Sequence, residues 1–188
     1  RVTVQIPTYN ELAALNCARC CLDFDYPADR LQILIGDDSN RPEISREIDG
    51  FARNNPRVQV CRRGSNAGYK PGNLNHMLKE TTGDYILILD SDFLPEKAAP
   101  VVRDPALAGV PATWRVANAR QNYSTLMGAG IINVIHVVIL PLLKRMAKTG
   151  MFCGSAELVR KDLLVKQGGW TVGALTEDVD YSLRVLAE

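Results

Sequence analysis

Four short apolar runs, separated by helix-like segments and ending in polar or charged residues, constrain this chain more than any other feature. The runs are "VTVQIP" (2–7), "LQILIGDDSN" (31–40), "RVQVCRR" (57–63) and "DYILILD" (84–90). Between them lie "NELAALNCARCCLDF" (10–24), "RPEISREIDGFARNN" (41–55) and "NAGYKPGNLNHMLKETTG" (66–83), which carry helical patterns. Strand and helix in strict alternation predict an α/β fold: a three-layer, Rossmann-like sandwich around a mostly parallel sheet. The near-continuous "ILI" and "YILIL" agree, because parallel strands are covered on both faces. Ligands of such sheets bind beyond the carboxyl ends of the strands. Asp37, Asp38, Asp90 and Asp92 all fall there.

Local signals refine the boundaries. Pro7 is expected to end the first strand, Asn10 to cap the first helix and Gly83 to end the third. Pro42 suits the first turn of the second helix. Beyond residue 95 the alternation weakens. A proline-broken stretch (100–111) leads to "ATWRVAN" (112–118) and a long apolar helical segment over about 121–147. Glycines at 150, 154, 168 and 169 bracket a strand and a short helix. Thr176 is placed to cap a last helix whose first turn is acidic.

The 188 residues fit one domain, and the net charge of +1 excludes a globally basic nucleic-acid binder. Five cysteines, at 17, 20, 21, 61 and 153, are odd in number and irregularly spaced, so no disulfide framework is expected. Cys17, Cys20 and Cys21 read as small buried thiols, since His76 and His136 are too distant in sequence to complete a zinc site. Free thiols suit a reducing, cytoplasmic setting. The chain opens inside a strand pattern and closes inside a helix pattern, as expected for a piece of a longer protein. "IINVIHVVILPLL" (131–143) is apolar but shorter than the roughly 20 residues of a spanning helix. Asn133, His136 and Pro141 also interrupt it, and a buried or interfacial helix is expected.

The acids suggest chemistry. Side chains at i and i+2 of an extended segment point the same way, so Asp90 and Asp92 can face one spot. Two close carboxylates stay ionised only beside a cation or strong donors. Mg²⁺ or Mn²⁺ bound with a substrate diphosphate fits that need; a solvated turn pair is the alternative. Asp37 and Asp38 can accept from a base or ribose, or serve a turn ahead of Pro42. Lys70, at a helix entry, suits a phosphate or an exposed loop. In "TED" (176–178) the helix dipole lowers a carboxyl pKa and burial raises it, so a base and a simple helix cap are both open.

Six stretches in order, "VTVQIPTYNE", "ILIGDDSN", "NAGYKPGNLNHML", "GDYILILDSDFLP", "MFCGSAELVRKDLL" with "GGW", and "LTEDVDYSLR", span nearly the whole chain. Together they resemble the inverting family 2 glycosyltransferases of the GT-A type, in the branch of the cellulose, β-glucan and hyaluronan synthases. The resemblance implies a UDP-sugar donor, a glycan or other hydroxyl acceptor, no nucleic-acid partner and a β-linked product. By position, Pro7, Thr8 and Tyr9 are expected in the nucleotide pocket, and Asp38 with Asp37 at the uracil or ribose. Lys70 is expected near the diphosphate, Asp90 at the nucleotide and metal, Asp92 on the Mg²⁺ or Mn²⁺, and Asp178 as catalytic base. Residues 1–95 would form a nucleotide-binding half of a single catalytic domain (1–188), and 96–188 an acceptor-binding half. The whole protein would work at the cytoplasmic face of the plasma membrane, making polysaccharide.

Two features of that branch do not occur in these residues: its Gln-x-x-Arg-Trp motif beyond "TED" and its transmembrane helices. A non-catalytic scaffold that binds nucleotide sugars is therefore the alternative reading. Other nucleotide folds are excluded by their motifs. The first turn, "PTYNELAAL", has no glycine for a dinucleotide fingerprint, and neither Gly-Lys-Ser/Thr nor Gly-x-Ser-x-Gly occurs.

Overall fold

The computed structural model describes residues 1–97, 107–147 and 150–187. Among the described residues, six strands form one sheet in the order β3-β2-β1-β4-β6-β5. They are β1 (Val2–Thr8), β2 (Leu31–Asp37), β3 (Val58–Cys61), β4 (Tyr85–Ile88), β5 (Gly109–Pro111) and β6 (Glu157–Arg160). β1 to β4 are mutually parallel, as their apolar runs predict, while β6 runs antiparallel to both β4 and β5. The helices are α1 (Ala13–Leu22), α2 (Pro42–Asn54), α3 (Tyr69–Glu80), α4 (Tyr123–Asn133), α5 (Leu140–Ala147), α6 (Lys161–Lys166) and α7 (Glu177–Leu186).

The core divides into two apolar clusters. Val4, Ile6 and Ile35 pack with Ala14, Cys17 and Ile48 of α1 and α2. Leu34, Ile86 and Ile88 pack with Leu74, Met77 and Tyr181 of α3 and α7. β1, between two neighbours, is buried on both faces, and even Thr3 and Gln5 are fully enclosed. The Gln5 Nε2 donates to Thr81 Oγ1 at 2.9 Å, while its Oε1 is buried without a hydrogen-bond partner among the described residues. The cysteines are all free thiols, with Cys17 and Cys21 buried and Cys20 half-buried.

Several boundaries differ from expectation. Pro7 does not end β1 but pairs with Gly36 inside it. The β4 ladder has already stopped, at Gln5↔Ile88, so the missing proline N–H breaks no ladder on that side. Asn10 is not a helix cap: it lies at φ +58°, and α1 starts only after Leu12. Its side chain instead exchanges hydrogen bonds with Asn40, tying the loop after β1 to the loop after β2. α3 stops at Thr81 rather than Gly83. Gly83 is needed for close approach, since a Cβ there would sit 2.6 Å from the Thr3 nitrogen. Thr176 stands at the N-cap of α7, yet its side chain makes no capping bond. Within the proline-broken stretch, 100–106 lies outside the described residues, and 109–111 forms β5.

The apolar segment also differs. One helix of 24 residues, Tyr123–Met146, is long and apolar enough to cross a membrane by length and composition. Most of its side chains are exposed, so it is not a core helix. Gly128, Gly130 and Pro141 do not break it. Pro141, the second residue of α5, comes just after π-helical turns at 134–139, a register shift placed where proline excludes regular α-helical bonding.

The end of β2 is fastened by charge. Asp37 is fully enclosed and accepts from Ser39 N–H (3.0 Å), Ser45 Oγ (2.7 Å) and Arg62 Nε (2.8 Å). Burial raises its pKa, but these donors outweigh burial and hold the carboxyl below its usual range. A depressed folded pKa means stability that is present above the unfolded pKa of about 3.9 and is lost as pH falls through the folded value. Asp37→Asn is therefore expected to melt below wild type at neutral pH, with the gap closing under more acid conditions in a melting-temperature series. Gly36→Ala is expected to destabilise the fold by about 1–3 kcal/mol in urea titration, through overpacking. Its Cβ would lie 2.0 Å from Asn73 Oδ1.

Candidate active site

A cleft of about 330 Å³ opens beyond the carboxyl ends of β1, β2 and β4. Pro7, Thr8 and Tyr9 line it from the end of β1, Asp38 from β2, Lys70 from α3, and Asp90 and Asp92 from the loop after β4. The sheet thus brings together most of the candidate residues. Asp37 and Asp178 lie outside this lining. Asp37 is enclosed beside Arg62 and Ser45, and it anchors Asp38 rather than facing the cleft.

Asp38 is held by Arg63, which had no role in the sequence reading. Arg63 Nε and Nη2 reach the two Asp38 oxygens at 2.9 and 2.5 Å. The same guanidinium donates to the Ala67 and Tyr69 carbonyls, at 2.6 and 3.1 Å, and so fixes the glycine-rich loop. Gly68 and Tyr69 both take left-handed backbone, at φ +70° and +48°, which turns the chain into α3 with Lys70 in its first turn. A signal for this arrangement existed in sequence. β2 and β3 pair in register at Gly36↔Cys61, so "DD" and "RR" follow directly on adjacent strands.

The Asp90–Asp92 pair is not on extended chain. β4 ends at Ile88, and the Phe93 N–H closes a turn on the Asp90 carbonyl at 3.0 Å. Both carboxylates still reach the same cleft. Ser91 Oγ donates to Glu11, a further cleft residue absent from the sequence reading. The Asp90 N–H donates to Ser155 Oγ at 2.8 Å, which ties the turn to the loop before β6.

Lys70 connects the two sides. Its Nζ lies 2.8 Å from Asp90 Oδ1, 3.0 Å from Glu177 Oε1 and 2.5 Å from the Gly154 carbonyl. Burial disfavours the ammonium, but Asp90 and Glu177 outweigh it and raise the Lys70 pKa. Asp178 borders the same spot, since a Cβ on Gly154 would lie 3.3 Å from Asp178 Oδ2 and 3.7 Å from Lys70 Nζ. Burial raises the Asp178 pKa, with Glu177 adding to the rise and the Val179 N–H and Lys70 opposing it. Of the two opposing effects open in the sequence, burial wins. α7 is docked firmly. Ser182 Oγ donates to the Asp178 carbonyl (2.8 Å) and accepts from the Phe152 N–H (2.9 Å), and Tyr181 packs on Phe152 and Trp170.

Among the described residues, no group of three or more His, Cys, Asp or Glu side chains is arranged to hold a metal by itself. Asp90 and Asp92 on an open cleft instead suit Mg²⁺ or Mn²⁺, which take one or two carboxylates plus substrate phosphates. The donor set, oxygen only, fits those hard ions.

Comparison with known proteins supports this picture. Residues 3–103 match the model of Glycosyl transferase family 2. The chain is 31% identical over 199 residues to probable glucomannan 4-beta-mannosyltransferase 15 of Arabidopsis thaliana, covering 98% of this chain and 37% of that protein. It is 31% identical over 205 residues to the UDP-forming cellulose synthase catalytic subunit of Komagataeibacter sucrofermentans, covering 98% of this chain and 25% of that protein. The chain thus spans well under half of these relatives. Among solved structures, the mannosyltransferase PcManGT from Pyrobaculum calidifontis, in complex with GDP-Man and Mn²⁺, superposes at a TM-score of 0.70. The two are 23% identical, over 100% of this chain and 52% of that one. S. aureus TarS 1-349 in complex with UDP-GlcNAc superposes at 0.61 and 17% identity, over 98% of this chain and 52% of that one. This protein has the GT-A fold and belongs to glycosyl transferase family 2.

Proposed function

We infer that this domain transfers a sugar from a nucleoside-diphosphate donor, a UDP-sugar, to a hydroxyl of a glycan or similar acceptor, with inversion to a β-linkage, in polysaccharide synthesis. The observation that carries the reading is the Lys70 ammonium shared by Asp90 and Glu177, with Asp178 beside it. It joins the proposed donor side of the cleft to the helix carrying the proposed base. Family relatives named for β-mannosyl transfer and UDP-forming cellulose synthesis favour the same reading.

The roles follow from position. Pro7, Thr8, Tyr9 and Asp38 shape the nucleotide end of the cleft, and Asp37 supports Asp38 from behind through the end of β2. Asp90 and Asp92 hold the divalent ion, which when bound supplies Lewis-acid neutralisation of charge on the departing diphosphate. Lys70 adds a second positive charge beside that group. Asp178 accepts the proton of the acceptor hydroxyl as its oxygen attacks the anomeric carbon and the C1–O bond to the diphosphate breaks. A buried carboxyl with a raised pKa is a stronger base than an exposed one. Residues 1–95 serve the donor and 96–188 the acceptor. We place the longer protein at the cytoplasmic face of a membrane, a reading favoured by the exposed apolar helix 123–146.

Asp178→Asn is expected to lower transfer by about 10² to 10⁴-fold while UDP binding persists. The acid limb of the wild-type pH–rate profile should be shifted upwards from that of an ordinary aspartate, because burial raises the Asp178 pKa, and should disappear in that variant. Calorimetry with UDP-glucose, UDP-GlcNAc and GDP-mannose, with and without Mn²⁺, is expected to show metal-dependent binding that Asp92→Ala abolishes. Binding that ignores a chelator would overturn the metal assignment. Metal-dependent UDP binding with no transfer to any acceptor would favour a scaffold.

A further inference from the structure

The loop before β6 reaches the cleft from an unexpected anchor. Glu157, the first residue of β6, is 1% exposed and pairs across the sheet with Ile88 and Pro111. Its carboxyl turns back on its own chain and accepts the N–H groups of Cys153 and Gly154, the latter at 2.7 Å. Two successive backbone N–H groups converging on one oxygen form a small anion nest, filled here by a side chain of the same segment. Gly154 and Ala156 both take left-handed backbone, at φ +87° and +53°. For alanine that conformation is unfavourable, so the surrounding contacts must hold it.

Two groups of this turn touch residues of the site. The Gly154 carbonyl accepts from Lys70 Nζ. Ser155 Oγ accepts from the Asp90 N–H, and the Ser155 carbonyl accepts from Trp114 Nε1 at 3.0 Å. A Cβ added at Gly154 would meet Asp178 Oδ2 at 3.3 Å. We propose that Glu157 is a positioning residue of the transfer site, the internal anchor whose carboxyl shapes the 153–156 turn so that it presents Gly154 to Lys70 and Ser155 to Asp90. The inference rests on the glycosyl-transfer reading for its kinetic consequence, but not for its structural one. Burial pushes the Glu157 carboxyl up to about 8, and Asp178 adds to the rise against the two N–H donors and Lys70. The charge of the group is thus disfavoured by its surroundings while its Oε1 accepts two N–H groups, and an amide oxygen is a close substitute.

Two readouts test the proposal. The first needs no turnover: the acylation rate of Lys70 by an amine-reactive reagent, followed by mass spectrometry. The second is the donor KM, measured per active site with the UDP-sugar selected by calorimetry. Glu157→Ala is expected to raise Lys70 reactivity and donor KM by about tenfold, since small displacements in a positioned site have large kinetic effects. Glu157→Gln, which keeps the accepting oxygen, should restore both to near wild type. Glu157→Asp, one methylene shorter, should move both in the direction of the alanine variant and stands in for it where alanine does not fold. Ser155→Ala should raise donor KM and leave Lys70 reactivity unchanged. A purely structural role would lower the melting temperature and leave both readouts alone, and that result would overturn the proposal. So would Glu157→Gln behaving like alanine. If wild type transfers no sugar, the functional reading fails while Lys70 reactivity still decides the role of Glu157.

Discussion

One ammonium, that of Lys70, is the point on which the cleft depends. Asp90 is far in the chain from the adjacent Glu177 and Asp178, and three carboxyl groups do not gather in a partly buried space without positive charge. Lys70 supplies it from the first turn of α3, with direct contacts to Asp90 and Glu177 and a favourable field at Asp178. Its position is itself determined. Arg63 fixes the preceding loop through Ala67 and Tyr69, and the Gly154 carbonyl takes the remaining direction of the ammonium. Reactive groups held by such a network need little rearrangement when a charged substrate arrives.

A second constraint acts at the ends of β2 and β3. Two acids and two arginines emerge side by side and pair in order, Asp37 with Arg62 and Asp38 with Arg63. The inner pair secures α2 through Ser45 and Asp49, and the outer pair secures the glycine-rich loop. Adjacent carboxylates with similar local sequence thus acquire different duties, one inside the scaffold and one on the cleft wall.

Much of this was legible in the residues. Period and apolar content revealed β1 to β4 and the three helices between them, because a strand buried on both faces leaves an unbroken apolar run. The acids at strand ends pointed to the cleft for the same topological reason. What escaped depended on distant partners. Asn10 looked like a cap until Asn40 was seen to occupy it. Thr176 sat in a capping pattern whose side chain does not cap. Glu11, Ser155 and Glu157 lie inside quoted stretches, but nothing local assigns them a role, which comes from contacts such as Asp90 to Ser155, 65 residues apart. The "DD" and "RR" pairs could have been matched from strand order alone. The apolar helix expected over about 121–147 runs over Tyr123–Met146, with π-helical turns ahead of Pro141 carrying it through, and what the residues alone did not reveal is that most of its side chains are exposed.

That helix has a topological consequence. His136, near its midpoint, stacks on Trp114 at 5.2 Å, and the Trp114 indole is bonded to the Ser155 carbonyl beside the cleft. The five steps from Ala147 to Phe152 can extend only about 18 Å before the chain is fixed by Ser182, which is less than the roughly 30 Å of a hydrocarbon layer. Moored at its waist and on a short tether at its end, the helix cannot thread a bilayer while these contacts hold. Any lipid it meets would be met broadside, with the cleft carried close to the same surface.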